Sequence, residues 1–532
     1  MFWLGVLACT AGVILHLPMY YDARTMGYRM AGMTPDPAML TGMALIGIGL
    51  VMTTWALIPP ARPDDGPPPR VSALDDARLT PAHIGLLLVM TITVTIDVMK
   101  PATLSFVAPG ITHEYGLGSP LNPHGHPPEA LLPLAGIAGT VIGSFIWGAL
   151  ADRIGRRASI LLAGILFTTT AICGAMPGFS WNLLMCFIMG IGAGGMLPIT
   201  FTLVAEMVPR RHRSWLMVLI GGDLTAAYLL TSWLSSVLIP HYSWRIMWLI
   251  GLPTGLLVIA LNRWIPESPR FLLATGRGAQ AQAVMDRYGA AVVPDHAPPR
   301  PAAAPDRRQR LFASRYVWPS VVLIVLALGI GLVTYGFQLW LPTNLEKLGF
   351  TQVTSTKIVM DSALIGLPLN VLTALAYGFW SSKKTIVVLA IATAGALLGL
   401  AFAYRQLAGD RLLLYVTLAV PLWAIGSVAA VLGAYSSEVY PTPLRARGAG
   451  LAAGMTKAGG VLIIALVAAS LAPPSVRVTA LIGAIPLVLA GLAFLIVGVE
   501  TRQHSLEDIT LAVERLDPLS RGDQAEPMPA GD

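Results

Sequence analysis

The sequence is divided into apolar blocks of about 18 to 27 residues that are separated by short polar joints. A helix needs about 20 mainly apolar residues to cross the hydrocarbon core of a bilayer. The alternating pattern of a membrane barrel strand is absent, and only helices and closed barrels satisfy their backbone polar groups in lipid. The blocks therefore predict an all-α membrane protein.

Charged residues make up only 12% of the chain, and hydrophobic residues make up 55%. Because a soluble domain carries about 25% charged residues, this composition excludes an ordinary soluble enzyme. The net charge is +7, but the basic residues line the joints instead of forming one basic face, so we expect no nucleic-acid partner. We expect no metal site, since Cys9, Cys173 and Cys186 lie inside apolar blocks without metal-ligand spacing.

Two apolar blocks precede a Pro- and Asp-rich joint, and twelve follow it, which predicts fourteen spans. The predicted spans are 2–19, 38–58, 84–110, 130–151, 158–176, 181–205, 214–239, 243–264, 317–343, 355–380, 385–404, 411–435, 448–471 and 475–499. The predicted units are an extra transmembrane hairpin (1–60), a cytoplasmic linker (61–83), a six-helix half (84–264), a cytoplasmic central loop (265–316), a second six-helix half (317–499) and a cytoplasmic tail (500–532).

The distribution of basic residues predicts the orientation. With a cytoplasmic N-terminus, the joints on that side collect most of the arginines and lysines, as the positive-inside rule requires. Both termini and the central loop are therefore predicted to be cytoplasmic. The Ala-, Gly- and Arg-rich usage indicates a bacterium and hence the inner membrane. The first block lacks a positive leading region, so we interpret it as a retained helix.

Four landmarks repeat along the chain at nearly constant spacing, which is the signal of an internal duplication. Each landmark falls at the same place within its six-helix half. The pairs are Glu206-x-x-Pro209-x-x-x-Arg213 with Glu438-x-x-Pro441-x-x-x-Arg445 at offset 232, Gly148 with Gly378 at 230, Pro109 with Pro342 at 233, and Glu267 with Glu500 at 233. We expect two parallel halves with a solute site between them at mid-depth.

Several of these motifs also carry a family resemblance. GALADRIGRRASI, beginning at residue 148, resembles the signature loop of major facilitator transporters. PESPRFLL, AEMVPRRHR and SEVYPTPLRARGAG resemble the sugar-porter and metabolite:proton-symporter branch, including its niacin- and synaptic-vesicle-protein-like relatives. The resemblance covers about residues 84–502 and implies a twelve-helix core in two halves, with the hairpin as an addition.

The same motifs predict a cytoplasmic gate. Glu206 is expected to pair with Arg213, and Glu438 with Arg445 or Arg447, near the ends of their helices. The resemblance implies that such bonds close the gate in one state and break when the halves rock; charges that are merely solvated are the simpler alternative. Ser382 replaces the acidic position in the second half, which predicts an asymmetric gate. The candidate gate residues are Gly148, Asp152, Arg156, Arg157, Glu206, Arg213, Glu267, Arg270, Glu438, Arg445 and Arg447.

Charged residues inside the predicted spans need a reason, because a charge at the centre of a membrane helix costs about 2.5 to 3.5 kcal/mol. Asp97 and Lys100 are three residues apart, so we expect them to share a helix face and to pair. Asp97 is the first candidate for proton coupling, and Asp223 is the second. The candidate substrate-binding residues are Lys100, Lys457, Tyr335, Gln338, Trp340 and Asn370.

The function predicted from these features is proton-coupled uptake of a small organic solute, anionic or aromatic in character. The chain has no nucleotide-binding G-x-x-x-x-G-K-[S/T] sequence, so we expect a proton gradient and no cofactor to supply the driving force. A drug or metabolite efflux antiporter, a sugar porter and a transporter-derived sensor or scaffold remain as alternatives. The expected partners are the solute and the lipid bilayer. Helices 2–19 and 38–58 either anchor the chain or bind a protein partner or a second copy.

Overall fold

The structure is a computed structural model. It describes residues 1–58, 74–118, 124–290, 311–339, 352–407, 411–470, 476–504 and 506–514, together with the single residues 122, 341, 345 and 349. Within these ranges the regular elements are helices, and the only β feature is an isolated bridge between Gly118 and Pro128. The predicted all-α membrane fold is confirmed.

The N-terminal hairpin consists of α1 (Phe2–Ile14), α2 (Leu17–Asp22) and α3 (Pro37–Leu57). The predicted first span, 2–19, is thus split, and α2 begins immediately before Pro18. Glycines let α1 and α3 approach closely: a Cβ atom added to Gly12 or to Gly42 would lie 2.6 Å from the other glycine's carbonyl oxygen. The hairpin packs against the first half through α1 and α3.

The first half begins with a helix of 35 residues, long enough to extend beyond the bilayer. Thr80 and His83 form a capping box at its start, and Gly116 ends it in a left-handed conformation with φ 64°. The helices are α4 (Pro81–Tyr115), α5 (Leu131–Ile154), α6 (Arg156–Thr169), α7 (Phe179–Met207), α8 (Arg210–Gly221), α9 (Leu224–Tyr242), α10 (Ile246–Leu249) and α11 (Gly251–Ala260).

Two short helices follow the first half, in the segment that was predicted only as a central loop. The stretch GAQAQAVMDRYG forms α13 (Gly278–Arg287). The structure adds α12 (Pro269–Ala274), whose first turn is capped by the Ser268 hydroxyl accepting from the Phe271 N–H at 3.4 Å. Pro269 fits there because the first turn of a helix leaves its N–H groups unpaired.

The second half repeats the helix order of the first. Its helices are α14 (Ser314–Val333), α15 (Gln352–Leu375), α16 (Ser382–Leu407), α17 (Arg411–Glu438), α18 (Thr442–Ser470) and α19 (Val476–Val497), followed by the short α20 (Leu506–Glu514). Thirteen helices among the described residues are long and apolar enough to cross a membrane. The remaining predicted span, 355–380, coincides with α15 and its continuation, of which the apolar part is the shorter segment Leu364–Trp380.

The two halves meet along α5 and α18, where small residues again allow close contact. A Cβ atom added to Gly148 would lie 2.8 Å from the Ala446 carbonyl oxygen, and one added to Gly450 would lie 2.6 Å from that of Ser144. These contacts lie near the end of the bundle at which α5, α7 and α17 end and α6, α8 and α18 begin. We call this the Arg-rich end.

Candidate functional site

Three buried charges join the halves at the Arg-rich end. Glu206 Oε1 lies 3.1 Å from Arg156 Nη2 and 3.0 Å from Arg445 Nη1, and these side chains are at most 2% exposed. Arg156 Nη2 also lies 3.3 Å from Asp152 Oδ1. Because Arg445 belongs to the second half and the other residues to the first, Glu206 links the two halves. We call Asp152, Arg156, Glu206 and Arg445 the latch.

The predicted partners of two glutamates are wrong. Within the described structure, no ion pair joins Glu206 to Arg213, or Glu438 to Arg445 or Arg447. Arg445 reaches Glu206 instead, Arg447 Nε lies 3.8 Å from Asp152 Oδ2, and Arg213 pairs with Asp75. For Arg445 and Arg447 the physical reason is the packing of α18 against α5 and α7, which brings together charges that are more than 200 residues apart in the sequence.

Glu438 makes a different contact between the halves. Its Oε1 atom accepts a hydrogen bond from the Ser214 hydroxyl of the first half at 2.8 Å, and its Oε2 atom accepts one from the Tyr377 hydroxyl at 2.9 Å. Glu206 is held by two arginines, whereas its repeat counterpart Glu438 accepts hydrogen bonds from hydroxyl groups. The Arg-rich end is therefore asymmetric at this pair of positions, which differ from the Ser382 position on which the predicted asymmetry of the gate was based.

Asp75 is a member of the charge cluster that the sequence analysis missed. It was assigned to the linker, yet it is only 4% exposed, pairs with Arg213 and lies 3.3 Å from Arg270 Nη2 through its Oδ2 atom. The sequence did contain a signal for this contact. Two neighbouring acidic residues lie in the joint before the first core helix, on the same predicted side of the membrane as the arginine-rich joints. The predicted gate residues Arg213 and Arg270 thus meet each other through this carboxylate.

Glu267 and Glu500 occupy equivalent positions in the two halves. Glu267 accepts the backbone N–H of Arg156 at 2.8 Å, and Glu500 accepts that of Ser382 at 2.9 Å, so each carboxylate caps the first residue of a helix. Burial raises the pKa of Glu267 above its ordinary value. For Glu500, burial acts in the same direction but is outweighed by hydrogen bonds from the hydroxyls of Ser381 and Ser382, so its pKa is lowered.

Arg157 has a local role in the structure. Its Nε atom donates to the Asn262 Oδ1 atom at 2.7 Å, which ties the start of α6 to the segment that follows α11 in the same half. This bond does not cross between the halves. Arg157 therefore lies next to the latch without bridging it.

Asp97 and Lys100 do not pair, which corrects the expectation drawn from their spacing. Lys100 Nζ lies 5.8 Å from the Phe167 ring centroid and packs against Gly251, both in the first half. Three residues advance a helix by about 300°, so the directions of the two side chains differ by about 60° around the helix axis. This difference lets them contact different neighbours. Asp97 instead interacts with Lys457 of the second half and with the backbone of Leu197.

Lys457 and Tyr335 lie together on the second half. The Lys457 Nζ atom is 6.0 Å from the Tyr335 ring centroid, and its charge interacts with Asp97 on the other half. Gln338, half-buried, ends the π-helical turn that contains Tyr335. Trp340 lies outside the described residues. One acid and one base from opposite halves are thus close enough for their charges to interact, although no ion pair within 4 Å joins these two described residues.

Two further polar contacts lie near the boundary between the halves. Asp223 accepts a hydrogen bond from the Thr95 hydroxyl within the first half. On the second half, Asn370 accepts one from the Ser427 hydroxyl at 3.0 Å and packs against Gly222 of the first half, where an added Cβ atom would lie 3.3 Å from Asn370 Cβ. Asn370 therefore lies at the interface, as a residue facing a central pathway would.

Known proteins resemble this chain over most of its length. It is 27% identical to the niacin transporter NiaP of Acinetobacter baylyi, over 83% of this chain and 99% of that protein. It is 28% identical to the gallate transporter of Pseudomonas putida, over 73% of this chain and 85% of the relative. Among solved structures, the proton:xylose symporter XylE superposes with a TM-score of 0.68 at 20% identity, covering 81% of this chain and 99% of XylE.

The solved structure supports the fold, and the sequence relatives are transporters and not enzymes. The profile of one family matches residues 86–406, which is more than half of the chain. This match includes Asp152 in α5 and Arg156 at the start of α6, as well as Glu206, the centre of the latch. The chain belongs to the Major Facilitator Superfamily.

Proposed function

We propose that this chain is a proton-coupled transporter that takes up a small organic acid by alternating access between its two halves. The observation that carries the proposal is the environment of Asp97. Its side chain is 5% exposed, its Oδ1 atom has no hydrogen-bond partner among the described residues, and it interacts with Lys457 of the opposite half. A proton on Asp97 would cancel this attraction, so protonation and the relative position of the halves would be linked.

Lys457 and Tyr335 favour an aromatic or otherwise compact carboxylate as the substrate. The ammonium group of Lys457 is a charge partner for the carboxylate, and the ring of Tyr335 is an aromatic wall. The amide groups of Gln338, in the same π-helical turn as Tyr335, and of Asn370, at the boundary between the halves, are proposed to add hydrogen bonds. The names of relatives point the same way, since they include transporters of niacin, benzoate and gallate. Sugars lack the negative charge that Lys457 would neutralise.

The Arg-rich end is proposed to face the cytoplasm of a bacterial cell. The positive-inside rule supports this orientation, because the arginines of the described joints cluster there. The closed latch would then bar the cytoplasmic side of the pathway, and substrate would enter from outside before the latch opens. The hairpin is proposed to lie in the lipid beside the first half, against which it packs.

Uptake into proteoliposomes tests the proposal. We expect labelled niacin, benzoate or gallate to accumulate when the vesicle interior is alkaline, and an uncoupler to abolish accumulation. Asp97→Asn should reduce accumulation to the uncoupled level, whereas Asp286→Asn, a change on the surface helix α13, should leave it intact. Uptake that ignores both the uncoupler and Asp97→Asn would contradict proton coupling through this residue, and solute exit driven by proton entry would identify an antiporter.

The role of Lys457 needs a separate measurement. Lys457→Gln removes the cation while keeping a polar side chain of similar length, so we expect weaker binding of each carboxylate and a smaller effect on the uncharged amide of the same ring. Competition between niacin and nicotinamide measures this difference. Equal loss of affinity for both compounds would show that Lys457 does not recognise the carboxylate.

A further inference from the structure

The segment just before the first core helix is held against the Arg-rich end. Leu74 is 1% exposed and belongs to the main hydrophobic core, and the Asp75 backbone carbonyl accepts the Arg210 N–H at 3.1 Å. The Asp76 carboxylate lies 2.7 Å from the exposed Arg210 side chain. We call residues 74–76 the strap. Its position is set by the buried Leu74 side chain and by the backbone bond of Asp75, whereas the Asp76–Arg210 pair is exposed.

Asp75 supplies the carboxylate that pairs with Arg213. The Arg213 side chain is 2% exposed, and its Nε atom donates to the Val208 carbonyl at 3.3 Å. Its Nη1 atom has no hydrogen-bond partner among the described residues. A buried arginine needs an anionic partner to offset its lost hydration. Loss of Asp75 would therefore leave Arg213 with a strong drive to find another carboxylate.

The internal repeat identifies that other carboxylate. Arg445, the counterpart of Arg213, crosses to the opposite half and pairs with Glu206. By the same relation, the reciprocal partner of Arg213 is Glu438. Its charge is close enough to Arg213 for the two to interact, but the hydrogen bonds of Glu438 come from the hydroxyls of Ser214, Tyr377 and Thr501.

We propose that Asp75 is a positioning residue that holds Arg213 away from Glu438, so that the closed latch keeps one Arg–Glu pair between the halves where the repeat allows two. This inference rests on the proposed alternating-access function, in which the latch must open in every cycle. A second buried pair would stabilise the closed state and slow opening. The strap thereby sets how tightly the Arg-rich end closes, and it belongs to the part of the chain that precedes the twelve-helix core.

The test measures the distance between the halves without substrate or a proton gradient. Spin labels are placed on Arg211→Cys and Lys384→Cys, two exposed positions at the Arg-rich end of opposite halves; the native cysteines are buried. Pulsed electron resonance then reports the ratio of closed to open molecules. We expect Asp75→Asn to raise this ratio on the order of tenfold, within the usual range of coupling between linked sites. Asp76→Asn, the exposed neighbour, should leave the ratio unchanged.

Adding Glu438→Gln to Asp75→Asn should remove the increase, because Arg213 then has no second carboxylate to engage. An unchanged or lower ratio in Asp75→Asn, or an increase that survives Glu438→Gln, would overturn the proposal.

Should Asp75→Asn fail to fold, the native strap allows a second measurement: Glu206→Gln should lower the ratio of closed to open molecules strongly, and Glu438→Gln only weakly. Equal effects of these two changes would also overturn it. Failure of proton-driven uptake alone would leave this result standing, so the two proposals are tested separately.

Discussion

At the scale of single residues, Glu206 is the buried carboxylate that ties arginines of both halves together. It is fully buried between two arginines of opposite halves. Glu206→Gln removes the negative charge and leaves the arginines partly uncompensated, which typically costs about 3 kcal/mol or more for a buried pair. We expect a clear drop in the melting temperature of the purified protein. Asp76→Asn, which breaks an exposed pair, should cost less than about 1 kcal/mol.

Glu267 and Glu500 should respond to pH in opposite directions. The pKa of Glu267 is raised on folding, so the folded state binds the proton more tightly, and its contribution to stability falls as the pH rises above the ordinary value of 4.5. The pKa of Glu500 is lowered, so its contribution is present above 4.5 and is lost as the pH falls below that value. Replacing either glutamate with a larger apolar residue should also remove the cap from the helix whose first backbone N–H the carboxylate accepts.

Melting temperatures of Glu267→Gln and Glu500→Gln across pH 4 to 8 check this expectation. Relative to the unmodified chain, Glu267→Gln should lose the least stability at the alkaline end, and Glu500→Gln should lose the most there. Parallel curves for the two variants would contradict the assigned directions. The comparison uses equivalent positions of the two halves, so effects that pH has on the rest of the molecule cancel.

At the scale of elements, the hairpin depends on contact between α1 and α3. A side chain at Gly42 would collide with Gly12 of α1 and with His16, the residue before α2, whereas Gly47 on the same helix as Gly42 has nothing within 4 Å of an added Cβ atom. We expect Gly42→Leu to destabilise the protein by about 1 to 3 kcal/mol through overpacking. Gly47→Leu should be tolerated. Thermal unfolding in detergent measures both, and equal melting temperatures would show that the contact does not contribute.

At the scale of the whole molecule, closure of the Arg-rich end depends on α5 meeting α18. A Cβ atom at Gly148 would lie 2.8 Å from the Ala446 carbonyl of the other half, while one at Gly426 in α17 would meet nothing within 4 Å. We expect Gly148→Val to shift the labelled positions 211 and 384 towards longer distances, because the halves can no longer close fully. Gly426→Val is the matched control. A distance distribution that Gly148→Val leaves unchanged would place the closing contact elsewhere.

Much of this architecture follows from local properties of the sequence. The positions of the spans follow the runs of apolar residues. The lipid interior has no water to bond the backbone polar groups, and a helix satisfies these groups within its own segment. The duplication is visible because Glu206 and Glu438 stand in the same motif at a fixed offset. The backbone preferences of proline and of glycine, and the need of a buried charge for a partner, are the same in any fold. These features predicted the helices, the two halves and the clustering of charge at one end.

Only the tertiary structure decided which charges pair. Arg213 and Arg445 carry the same motif, yet one pairs with Asp75 of the strap and the other with Glu206 of the opposite half. Asp97 and Lys100 share a helix but contact different neighbours, Lys457 in one case and Phe167 in the other. The sequence by itself determined which residues must be buried within the membrane or at its edge. Partner choice required the packed helices, because the attraction between two charges depends on their separation in space and not along the chain.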